Sequence, residues 1–288
     1  MIIQVLINSL IATSIYSLIT LGFVVIYRTV RFFHFAHGAV YAMGAYVAYS
    51  LFIGAGVPFV FALLLAALFA GFFGITIDRM IYLPMRRKKS SSLVMMLASF
   101  GAFIFIENLI AFIYGNQILT MRTGPIREGW HVLGAIITPI QTMILIVANV
   151  LMVLLWLFIQ RTKLGKAMRA VADDPIAASV VGINPEKTIL WSFFIGSSLA
   201  GIAGVLVSLE TNLEPTMGFS ALLKGIIAAI VGGIVSIPGA VLGALLLGFA
   251  ENFGIWFIPA GWKDAIAFAI LIIFLLFRPQ GILGVKEK

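Results

Sequence analysis

Nine apolar runs, each close to the length that crosses a hydrocarbon core, follow one another along this 288-residue chain. They cover 5–27, 35–53, 57–77, 93–114, 139–159, 189–209, 222–237, 239–258 and 264–277. About 20 apolar residues of α-helix span a bilayer. The runs are continuous, whereas a membrane barrel alternates apolar and polar residues in short segments. A soluble core could not hide them: 62% of the residues are hydrophobic and 10% charged, against roughly 45–50% and 25% in soluble domains. The expected fold is all-α, one polytopic transmembrane domain over 1–288. It has nine spans, or eight if one glycine-broken run is re-entrant.

The net charge of +8 is not arranged as a nucleic-acid face. Arg86, Arg87, Lys88 and Lys89 form one cluster, and Arg161, Lys163, Lys166 and Arg169 another, each between apolar runs. Short cytoplasmic loops carry such an excess. Loops 28–34, 78–92, 160–188 and 278–288 together hold 15 of the 19 Lys and Arg, while 115–138 holds only Arg122 and Arg127. The expected topology is N-out and C-in. The first run has no basic residue before Arg28 and is longer than the apolar stretch of a signal peptide, so it reads as a span. There is no cysteine, hence no disulfide framework and no thiolate metal site.

Breaks in apolar runs point to sites. His34 and His37 precede Gly38 near the start of the second run, and Gly232-Gly233 and Pro238-Gly239 interrupt the stretch after 222. Irregular backbone at membrane depth persists only where protein buries it or a watery cavity solvates it. Such breaks in both halves of a transporter mark a substrate path. The expected path residues are His34, His37, Gly38, Glu107, Gly232 and Gly233, with the two breaks close together. The alternative for the histidines is that they bond backbone groups freed at the break. Glu107 lies inside a run, where an ionisable group is costly, or else near the headgroups. Glu251-Asn252, near a run's end, reads as structural. Gly201, Gly204, Gly239 and Gly243 read as helix-contact positions. A short helix is expected over 174–182: Asp174 suits the N-cap, Pro175 the first helical position and Gly182 a left-handed C-terminal cap.

Larger blocks carry a resemblance. His34-Phe35-Ala36-His37-Gly38 followed by Gly44-Ala45-Tyr46, then Gly165-Lys166-Ala167-Met168-Arg169-Ala170 through Ala177-Ala178 to Gly182-Ile183-Asn184, stand in order. So do Lys224 to Gly243, Lys263-Asp264-Ala265 and Phe277-Arg278-Pro279-Gln280-Gly281. The chain resembles the branched-chain amino-acid (LivH-type) permeases of ABC importers, departing from that pattern at His34 (usually Asn) and Glu107 (usually an uncharged polar residue).

That resemblance implies a multi-pass permease of a bacterial or archaeal inner membrane. It implies a second homologous (LivM-like) permease, two cytoplasmic ATPases and an extracytoplasmic solute-binding protein as partners. Within loop 161–188 it assigns ATPase coupling to Asp173, Asp174, Pro175, Ala177, Ala178 and Gly182, with the small alanines entering a groove on the ATPase. The alternatives are an ATP-independent channel or carrier, or a urea or amide permease of the same family. The chain contains no G-x-x-x-x-G-K-[ST] and no H-E-x-x-H, so it reads as neither an ATPase nor a metalloenzyme and needs no cofactor.

Overall fold

The computed structural model describes residues 2–122, 129–132 and 134–284; Arg127 lies outside them. Helix α1 (Ile2–Val30) is the central post, packed against α9 (Pro185–Glu210), α10 (Met217–Gly232) and α11 (Ile237–Gly254). Around it run α2 (Ala36–Tyr49), α3 (Phe59–Ile77), α4 (Leu83–Arg87), α5 (Ser92–Tyr114) and α6 (Pro139–Arg161). Two short helices, α7 (Lys163–Asp173) and α8 (Pro175–Val180), join α6 to α9, and α12 (Lys263–Phe277) closes the chain. Ser9 and Thr20 of α1 return to their own helix, donating to the carbonyls of Val5 and Tyr16. That keeps these two hydroxyls satisfied where water is absent.

Among the described residues eight helical stretches are long and apolar enough to cross a membrane. The ninth expected span is α10, only 16 residues long. The break before α11 falls earlier than expected. Ser236 caps α11 by accepting from Gly239 N, and Pro238 sits in its first turn, where its missing N–H costs nothing. Loop 115–138 is not purely irregular: β1 (Trp130–Val132) and β2 (Ala135–Ile137) form an antiparallel hairpin, held to α1 by Gln4 on both polar groups of Ile136.

Small residues set the helix contacts, as they must where lipid is as apolar as leucine. Gly201 lies on Ala70 and Gly44, Gly204 on the Tyr41 carbonyl, Gly239 on Gly232 and Gly243 on Ala228. Wide i→i+5 turns at Ser50–Gly54 and Asp78–Tyr82 extend α2 and bridge α3 to α4. At the second, buried Asp78 takes both Arg86 nitrogens, at 2.6 and 3.1 Å.

Candidate functional site

Two helices begin inside the bundle. Arg31, at φ 56°, ends α1, and residues 31–35 turn back along it. His37 Nε2–H donates to the carbonyl of Ile19 at 3.2 Å. Ile19 lies 11 residues before the end of α1, which is roughly 16 Å of helix. His34 Nδ1 stands 2.9 Å from the Tyr82 hydroxyl and 3.3 Å from Ser99 Oγ, which also accepts the free Ala36 N–H. The chain turns back a second time between α9 and α10, where Leu213 and Leu119 exchange backbone bonds of 2.8 and 3.0 Å. α10 then starts with Gly218 against Gly38. A Cβ on Gly38 would lie 2.6 Å from the Gly218 carbonyl oxygen, so only glycine permits the contact.

Cavities flank this junction. At the hairpin end one of about 610 Å³ is walled by α1, α10 and the 211–214 turn, with Ile15, Ile19, Tyr41 and Met217 as its apolar floor. Lys224 borders it. Its ammonium lies 3.2 Å from Glu251 Oε2, 3.2 Å from Asp264 Oδ1 and 3.2 Å from the Tyr16 hydroxyl. Tyr16 donates to the same Glu251 oxygen at 2.5 Å. Glu251 is wholly buried, and its Oε1 has no partner among the described residues. At the opposite end a cavity of about 890 Å³ is bordered by Tyr27, Arg28, Arg31, Phe33, Ile230 and Ile234. Between the two stand Phe23, Tyr27, Phe33 and His37, with ring centroids 5.4–6.2 Å apart.

The expected path residues are only partly brought together. His34 and His37 are fully buried and side by side, ring centroids 5.9 Å apart. Of the two only His37 bonds backbone, at Ile19 within α1 and not at the break, while His34 bonds the Tyr82 and Ser99 side chains. Gly38 does not meet Gly232-Gly233, because α10 separates Gly218 from Gly232 by 14 residues, about 21 Å. Gly233, at φ 109°, abuts Gly284, and the terminal segment supplies Ile282 and Leu283 N–H groups to the last carbonyls of α10. Glu107 is half-buried and unbonded among the described residues, one turn beyond Phe103, whose ring packs at a tilt on Phe219 of α10, centroids 5.7 Å apart.

The 174–182 helix forms as its sequence dictates. Asp174 Oδ1 accepts from Ile176 N at 2.7 Å and Ala177 N at 3.0 Å, Pro175 opens α8, and Gly182 turns left-handed at φ 85°. For Ala178 the reading needs correcting, while Ala177 is exposed. Ala178 is 2% exposed and packs inward, whereas Ile176, Val180 and Val181 are 77, 81 and 74% exposed. Period 3.6 turns Ala178 away from the face that Ile176 and Val180 share. Among the described residues no group of three or more His, Cys, Asp or Glu could hold a metal.

Residues 5–275 match the family model described as branched-chain amino acid transport system / permease component. The chain belongs to this family. It is 38% identical over 297 residues to the high-affinity branched-chain amino acid transport system permease protein BraD of Pseudomonas aeruginosa, covering 99% of this chain and 96% of that one. It is 35% identical over 305 residues to LivH of Escherichia coli, with the same coverage. The probable LivH of Methanocaldococcus jannaschii is 29% identical over 306 residues, 99% of this chain and 93% of its own. In fold the permease is similar to PsaBC from Streptococcus pneumoniae in complex with Fab, with a TM-score of 0.54 at 13% identity, covering 96% of this chain and 93% of that one.

The site residues that sequence reading missed are Tyr16 and Lys224, and it took Glu251 for structure alone. Lys224 carried a usable signal, being the one Lys or Arg inside the nine apolar runs.

Proposed function

We propose that this permease is the translocating subunit of an ABC importer for branched-chain amino acids, N-terminus outside and C-terminus in the cytoplasm. It works with a second homologous permease, two ATPases and a solute-binding protein in a bacterial or archaeal inner membrane. The observation that carries the reading is α8: an apolar, capped, two-turn helix on the loop where basic residues concentrate, its apolar face uncovered. So short a helix is marginal alone in water. A cytoplasmic ATPase seated on Ile176, Val180 and Val181 supplies the missing contact, with Asp173, Asp174, Pro175, Ala177 and Gly182 shaping the helix and its approaches. The substrate class rests on the relatives' names and on the amphipathic cavity at the hairpin end.

The route runs from that cavity past His37 and His34, around the Gly38–Gly218 contact, to the cavity beside Gly232-Gly233. Glu107 marks a second kind of surface. Glu107 is half-buried and lies seven residues before the end of α5; a carboxylate left against lipid there is costly, and the second permease covers this face of α5.

The double substitution Ile176→Asp/Val180→Asp tests the docking. Both side chains are exposed, so the permease folds and inserts normally. ATPase co-purification, or substrate-stimulated hydrolysis, is expected to fall at least tenfold, the worth of ~1.4 kcal/mol. Wild-type assembly and stimulation would defeat the assignment. A smaller effect is expected from Asp174→Ala. Loss of the cap costs about 1 kcal/mol, seen as several-fold faster hydrogen exchange at the Ile176 and Ala177 amides.

A further inference from the structure

The cavity at the hairpin end holds a charged group that folding alone does not explain. Lys224 lies on α10, its side chain 16% exposed, and its ammonium is shared between a wholly buried carboxylate, Glu251, and one from the surface, Asp264, whose side chain is 65% exposed. Glu251 already neutralises Lys224 and is itself anchored by Tyr16. The second carboxylate therefore adds little in the folded chain, because an ion pair with a solvated partner is worth at most about a few-fold in an equilibrium. Asp264 is a replaceable ligand on a fixed cation. Around that cation the cavity walls hold Glu210 and Glu214 on the α9–α10 side, and the floor is Ile15, Ile19, Tyr41 and Met217. Its volume, about 610 Å³, lies within the ~300–1,000 Å³ of small-molecule sites.

We infer that this cavity is a binding site within the permease for a zwitterionic α-amino acid with an apolar side chain. The ligand's carboxylate displaces Asp264 from Lys224, its ammonium faces Glu210 and Glu214, and its side chain rests on the Ile15–Ile19–Tyr41–Met217 floor. The inference rests on the import reading and deepens it: the permease itself, and not only a binding protein, selects for the zwitterion. Displacing Asp264 removes one polar tie between α12 and α10, which stay packed through Ala267 against Ile227 and Val231.

The absence of cysteine makes the test direct. Ser220, exposed and on the cavity wall, is replaced as Ser220→Cys in membrane vesicles carrying the complete transporter. The rate of labelling by a water-soluble thiol reagent is then measured. L-leucine is expected to slow labelling; leucinamide, without the carboxylate, and 4-methylpentanoate, without the ammonium, are expected to protect far less. Adding Asp264→Asn removes the competitor and should lower the half-protecting leucine concentration about three- to fivefold, the worth of an exposed ion pair. Ala221→Trp, which fills the cavity, should abolish protection. Labelling that leucine does not slow, in vesicles that take up leucine, overturns the site and leaves the import reading standing. Neither protection nor uptake overturns both. Equal protection by leucinamide, or no shift with Asp264→Asn, refutes the role of Lys224.

Discussion

Valine in place of Gly218 should leave almost no folded permease. The added side chain would project into the Gly38 carbonyl where α2 and α10 begin, and neither backbone can retreat without dragging a helix. Overpacking of a tight core costs about 1–3 kcal/mol and more where backbone is struck. That is a large share of the ~5–15 kcal/mol by which folded proteins are stable. Recovery of monodisperse protein in detergent, and its melting temperature, read the effect. Gly101→Ala is the control: a Cβ there meets nothing within 4 Å, and alanine is the better helix former by about 1 kcal/mol. It should melt at or slightly above the wild-type temperature. Equal stability of the two variants would mean that α2 and α10 do not meet at Gly38 and Gly218.

The buried ion cluster should respond by who is left unpaired. Lys224→Met strands the wholly buried Glu251 carboxylate with only Tyr16 beside it, and breaking a buried pair from one side costs about 3–5 kcal/mol. Glu251→Gln should cost less, because Lys224 keeps Asp264, 3.2 Å away. The double variant Lys224→Met/Glu251→Gln should regain most of the stability lost by Lys224→Met, since neither charge is then buried alone. Thermal melts of the three variants decide it. If the losses simply add, the two residues are not coupled, and the cluster as described is wrong.

Much of this architecture is legible in the sequence because lipid leaves few choices. A run such as 139–159 can only be a helix, and α6 occupies Pro139–Arg161. The 174–182 helix is equally legible, since Asp, Pro and Gly at those three positions act on their own backbone without help from the fold. What could not be read is what depends on distant partners. Alternation of apolar and polar residues cannot say that Ala178 faces inward while Ile176 faces out, because both are apolar and α7 and α9 decide which is covered. The depth at which a helix starts was equally hidden. That Gly38 meets Gly218 rather than Gly232-Gly233 follows from two segments, 31–35 and 211–216, that double back into the bundle, and their composition does not announce it. Lys224 and Glu251 lie 27 residues apart, on successive antiparallel helices, and only the turn at 233–236 brings them level.

Uptake of radiolabelled L-leucine tests the central claim most directly. The permease is reconstituted in liposomes with its companion permease and ATPases, with the binding protein supplied outside and ATP or a non-hydrolysable analogue enclosed. Saturable accumulation of leucine above the external concentration is expected with ATP alone, and it should vanish in the Ile176→Asp/Val180→Asp variant. Equal uptake with the analogue, running only down the leucine gradient, would contradict it and make the chain a channel or carrier.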